Sequence, residues 1–222
     1  MIRKPILSIL SLISLILLSY SCKSKSDTCE LDEDILAQDL DLSIHRMEKD
    51  FFGATSSQDF LALFEEHPEF TQQYLQMNFY PSPDTLAAEL LSIHQDSALR
   101  VLNDSVQVEF ADISDIERDL KNAFKYIRHY YPNFKIPKVY TFVSGFNSDL
   151  LVTDDLIVIG LDYYLPADHT FQPDLARYMA VRYERPYLVP MIVLAISSRY
   201  NVVNPEENTL LSEMIYFGKA YH

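Results

Sequence analysis

Residues 6–18 are Ile and Leu interrupted only by Ser8, Ser11 and Ser14, and four positions later, at Cys22, the chain turns polar. With Arg3 and Lys4 ahead of it, this run of about 13 residues reads as a secretory signal. It is shorter than the roughly 17 to 25 residues that a spanning helix needs. Residues 23–34 carry charge and little apolar content, the pattern of a solvated tether. From Ile44 the apolar positions Ile44, Met47 and Phe51 recur at helical spacing, which predicts a helix over residues 38–52 ending near Gly53. Further helices are expected over 57–66, 69–79 and 84–107, the last opening on Asp84 as a cap and breaking near Asp96. Residues 114–131 place Ile116, Leu120, Phe124 and Ile127 on one face, with Ser114 and Glu117 at capping-box spacing and Pro132 as the stop.

The period then changes. The stretches "KIPKVYTFVSG" and "LIVIGLDYYL" are rich in β-branched and aromatic residues, which predicts strands at 138–144 and 156–161, with a third at 150–153 and a hairpin turn at 153–155. Helices follow over 173–183, 187–200 and 206–222, the last begun by Pro205 and its acidic neighbours. The fold class is therefore α+β: mostly helical, with a small antiparallel sheet at about residues 138–161. The domain plan is a signal peptide (1–21), a tether (22–34) and one helix-rich domain (35–222). The last helix has no stop signal beyond Gly218, which reads as a chain that continues past His222.

Ser19 and Ser21 flank Tyr20 just before Cys22, which resembles the lipobox of bacterial lipoproteins, cut before a cysteine that carries diacylglycerol. It departs from that pattern in having Ser19 and Tyr20 where an aliphatic and a small residue are usual. Cys22 is thus a lipid attachment candidate; a Cys22–Cys29 disulfide, or a free thiol after ordinary cleavage, are the alternatives. Each buried methylene contributes about 0.8 kcal/mol, so several acyl chains hold a protein where one does not. The formal net charge is −14, and removal of residues 1–21 takes away Arg3 and Lys4 and moves it to −16. So acidic a chain repels nucleic acid and anionic headgroups, and nucleic acid is not an expected partner.

Catalytic signatures are missing: no G-x-S-x-G, no phosphate-binding P-loop and no dinucleotide fingerprint, and only four glycines from which to build one. His45, His67, His94, His129, His169 and His222 never fall at i, i+4, so a two-histidine helical zinc site is absent and the histidines are expected at surface or capping positions. Asp154, Asp155 and Asp162 suit a hairpin turn and a helix cap better than a hard-cation site. No catalytic residue, metal ligand or cofactor is expected. Tyr163, Tyr164, Tyr178, Tyr183 and Tyr187 cluster between the sheet and the helices after it and are candidate partner-binding residues. A plain aromatic core explains the same residues better.

The blocks "GLDYYL", "YERPYLVPMIV" and "EMIYFGK" give most of the mature chain a resemblance to the gliding motility lipoprotein GldB family of the Bacteroidota. That resemblance implies a lipid-anchored, periplasm-facing envelope protein that supports gliding and, indirectly, type IX secretion. Its partners would be the membrane, through acyl chains on Cys22, and other envelope proteins of those systems. The order of sheet and long helix is also similar to zinc peptidases of the gluzincin kind, whose helix carries H-E-x-x-H. Here that helix reads "VPMIVLAISSRY", which can neither hold zinc nor activate water, so a degenerate zincin-like scaffold is implied. Glu213 would be its leftover third ligand, or simply an exposed helix carboxylate. Two other functions remain open to the sequence: a metal-dependent hydrolase with a divergent site, and a binder of an apolar molecule.

Overall fold

The computed structural model describes residues 32–172, 175–200 and 209–220. Cys22, Cys29, most of the tether and both ends of the last expected helix lie outside them. The chain divides into two units, residues 1–37 and 38–222. In the first, α1 (Glu33–Leu36) is a single turn capped by the Asp32 carboxylate, which accepts from the backbone of Asp34 and Ile35.

The second unit is built on a four-stranded sheet of order β1-β2-β4-β3: β1 (Ile44–Arg46), β2 (Lys138–Phe142), β3 (Leu150–Val152) and β4 (Leu156–Gly160). The α+β class stands, but the sheet is mixed. β1, β2 and β4 run parallel, and only β3 is antiparallel, joined to β4 by the expected turn at 153–155. The reason is burial: Leu156 through Gly160 are buried without a break, because helices cover both faces of the parallel strands. β1 replaces the start of the helix expected over 38–52, and α2 (Met47–Gly53) follows it with no intervening residue.

One face carries α2, α3 (Ser57–Glu66), α4 (Pro68–Gln73) and α5 (Pro83–His94) over Tyr140, Phe142, Leu156 and Val158. The other carries α6 (Ser97–Glu109), α7 (Ser114–Tyr130) and α9 (Leu188–Tyr200) over Val139, Ile157 and Ile159. Local chemistry sets the helix starts. Ser56 and Asp59 form a capping box on α3, Ser82 with Pro83 opens α5 in place of the expected Asp84, and Asp96 divides α5 from α6 by capping the latter. On α7 the Ser114–Glu117 capping box does not form; Asp112 accepts from the Ser114 backbone instead. The helix expected over 69–79 ends at Gln73, and Gln76 takes a left-handed φ of 53° before a 3-10 turn at Met77–Phe79. After β4 come a 3-10 turn (Leu161–Tyr164), the short α8 (Arg177–Ala180) and two more 3-10 turns (Val181–Tyr183 and Arg185–Tyr187), so the helix expected over 173–183 is broken. Glu184, in extended backbone, separates these two turns, and Pro186 sits in the opening of the second. α10 (Leu210–Ala220) packs on α9. Among the described residues, no helix is long and apolar enough to cross a membrane.

Candidate functional site

Because β2 and β4 are parallel neighbours, the loops that leave their carboxyl ends meet, the place where open sheets of this kind present their chemistry. The loop after β2 contains Ser144, Gly145, Phe146, Asn147, Ser148 and Asp149; the turn after β4 contains Asp162. Asp162 is wholly buried, and its carboxylate organises the loop. It accepts from the Ser144 backbone at 3.0 Å, the Phe146 backbone at 2.6 Å and the Ser144 hydroxyl at 3.0 Å. The Ser144 Oγ then accepts from the backbone of Asn147 and Ser148. Burial raises the Asp162 pKa above the usual carboxylate value, against the lowering effect of these donors.

Those bonds hold the loop tip in left-handed backbone, with φ 67° at Gly145 and 60° at Phe146. Such a conformation at a bulky residue such as phenylalanine marks a site whose surroundings over-determine it. The loop lies hard against β4. A Cβ on Gly160 would stand 2.2 Å from the Ser148 carbonyl, and the Gly160 N–H donates to Asp149 O at 2.8 Å. Only glycine permits that approach.

Three of the five candidate tyrosines gather here. Tyr163 donates to Phe146 O at 2.6 Å and packs its ring 5.2 Å from Tyr183, which lies 5.8 Å from the buried Tyr164. Tyr183 donates to the Asp149 carboxylate at 3.0 Å; burial, then that carboxylate, pushes its pKa up to about 12. Beside it lies a depression of about 250 Å³ lined by Leu165, Gln172, Leu175, Ala180, Tyr183 and Glu184. Tyr178 and Tyr187 do not join the cluster's ring contacts; they are 72% and 44% exposed on the surface next to it. The fold thus splits the tyrosines into an inner group that shapes the loop and an outer pair that faces solvent.

The other candidates are placed apart from this loop. Asp154 pairs with Arg199 at 2.7 Å and Asp155 is exposed, so the three aspartates serve a hairpin and a loop. Asp162 lies inside a 3-10 turn and caps no helix. Glu213 is exposed on α10. On α9, Leu188, Ile192 and Ile196 enter the core. Of the histidines expected at surface or capping positions, His94 is instead buried within α5, and His67, at the cap between α3 and α4, is buried too. His67 stands with His45 and Asp50, a group of potential metal ligands that sequence spacing did not reveal, because the strand and helix junctions bring together positions 5 and 17 residues apart along the chain.

The family model described as "Gliding motility protein GldB" matches residues 28–222. The chain belongs to the GldB family. The resemblance carried by "GLDYYL" and its companion blocks is borne out, and those blocks supply Asp162, the tyrosine cluster and the core face of α9. Comparison with curated proteins found no match, and comparison with solved structures found none. GldB membership makes this a gliding motility protein by family.

Proposed function

We propose that this GldB-family chain is a lipid-anchored envelope protein that supports gliding motility and, indirectly, type IX secretion by binding other envelope proteins rather than by catalysis. Acyl chains on Cys22 hold it at the membrane, residues 22–34 act as tether, and the helix-rich domain faces the periplasm. The observation that carries the binding reading is the state of the carboxyl ends of the strands. The one buried carboxylate there, Asp162, is committed to loop donors, while the outer tyrosines stand exposed beside it. A carboxylate that is sealed from water and whose oxygens are taken up by loop donors has no free lone pair turned toward a substrate or a metal. Exposed tyrosines that offer ring and hydroxyl together are what partner surfaces favour. The core face of α9 offers no side chain that could hold a metal or accept a proton, since Leu188, Ile192 and Ile196 form it.

The anchor and the surface are tested separately. Cys22→Ala should move the protein from the membrane to the soluble fraction and stop gliding; unchanged fractionation would remove lipidation as the tether. Tyr178→Ala with Tyr187→Ala should leave protein level and membrane retention unchanged while gliding and partner crosslinking fall. Normal gliding and crosslinking in that double variant would overturn the assignment of this surface.

A further inference from the structure

We propose that His45, Asp50 and His67 form a binding site for one divalent transition-metal cation of the zinc class at the β1 edge of the sheet. His45 is the middle residue of β1 and pairs in register with Tyr140, so both rings leave the same face. α2 begins at once after β1 and turns Asp50 back over that ring, with His45 Nε2 and Asp50 Oδ2 at 2.6 Å. His67 is the shared residue that ends α3 and starts α4, and its ring centroid lies 4.3 Å from that of His45. One ligand atom from each of the three lies within 4.8 Å of the others.

A second observation points to a ligand. His67 is only 7% exposed, its Nδ1 is 3.2 Å from the Tyr140 hydroxyl, and its Nε2 is buried with no hydrogen-bond partner. A buried, unpartnered ring nitrogen costs stability unless something occupies it. With Nδ1–H donated to Tyr140, the Nε2 lone pair is free, which is the arrangement by which a second hydrogen bond orients a metal-binding imidazole.

Two imidazoles and one carboxylate suit zinc-class ions rather than calcium or magnesium, which take all-oxygen sets. Ligands about 2.1 Å from a tetrahedral ion stand about 3.4 Å apart, so His45 and Asp50 would part slightly and His67 would draw in. The side chains of His45 and Asp50 are 37% and 43% exposed, which gives them that freedom and gives the ion a path from solvent. The exposed Glu66 carboxylate stands 3.9 Å from His67 Nε2, and the nearby Lys138 ammonium is already held by Glu69 at 2.9 Å. A bound ion would tie the α3–α4 junction to the β1–α2 corner.

The full chain, purified in detergent and stripped with chelator, is titrated with zinc chloride by calorimetry and followed by thermal melting. One equivalent should bind and raise the Tm. His45→Gln, at a half-buried position, and Asp50→Asn, at an exposed one, should each weaken binding by more than about 100-fold and abolish the Tm shift while the metal-free protein stays folded. His169→Gln should change neither. The cobalt-loaded protein should show visible d–d bands without a thiolate charge-transfer band. Absence of saturable zinc binding, binding indifferent to both variants, or a thiolate band that assigns the metal to cysteine would overturn the site.

Discussion

Glu48 is a carboxylate with no access to water, and its partners define what it does. Arg46 Nε donates to Glu48 Oε1, the Thr141 hydroxyl donates to Oε2 at 2.7 Å, and Arg46 Nη1 donates to the Phe110 carbonyl at 2.7 Å. The residue thus joins β1, α2, β2 and the end of α6. Removal of one member of a buried pair leaves the other charge uncompensated, so Glu48→Ala should cost about 3–5 kcal/mol in chemical denaturation, far more than exposed carboxylates such as Glu213. Asp162 offers a second test, in pH. Its folded-state pKa lies above the unfolded value, so the native state holds the proton more tightly. Its contribution to stability is therefore fullest below about pH 4 and declines as pH rises through the folded pKa. Asp162→Asn should remove that declining component from the stability curve measured by urea melts. Neither role is legible in sequence: "RME" and "GLD" are ordinary triplets until the fold seals them from water.

Between elements, Arg185 is the strap that fixes the segment after the tyrosine cluster. It donates to both Asp115 carboxylate oxygens at 2.6 and 3.1 Å and to the carbonyls of Glu109 and Asp112, and it lies over the Phe110 ring at 5.1 Å. A planar fork can serve all of these where an ammonium cannot. Arg185→Lys should therefore cost about 1–2 kcal/mol in urea melts and raise amide exchange across residues 177–187, while exchange in β2 and β4 stays protected. The helices of this layer were legible because their stripes are long: Ile116, Leu120 and Phe124 on α7 are all buried. β1 was not, because three residues carry too little pattern and Ile44, Met47 and Phe51 keep helical spacing across a strand-to-helix junction. The pairing of β4 has a signal in its sequence. "LIVI" is continuously apolar rather than alternating, the mark of a strand covered on both faces. The inner tyrosines were legible as a cluster, whereas their division from Tyr178 and Tyr187 depended on turns that no periodicity encodes.

Across residues 38–222, two helical layers share one sheet, and alternate residues of β4 serve opposite cores: Leu156 and Val158 one, Ile157 and Ile159 the other. Neither layer can leave without exposing a face of the same strands, so the two cores should melt together. Phe60, buried on the α3 side, and Phe124, buried on the α7 side, provide matched perturbations. Each phenylalanine-to-alanine change should cost about 3–5 kcal/mol through lost burial and the cavity left behind. The chain has no tryptophan, so tyrosine emission can follow packing without competition from indole, while far-ultraviolet circular dichroism follows the helices. Tyr140 reports from the first core and Tyr164 from the second. If the sheet couples the layers, both probes give one coincident transition in the wild type and in each variant, with only the midpoint displaced. Two separated transitions in Phe60→Ala, the first taking part of the helix signal together with part of the emission change, would mean that the α3–α5 layer unfolds by itself and that the sheet draws its order mainly from α6, α7 and α9.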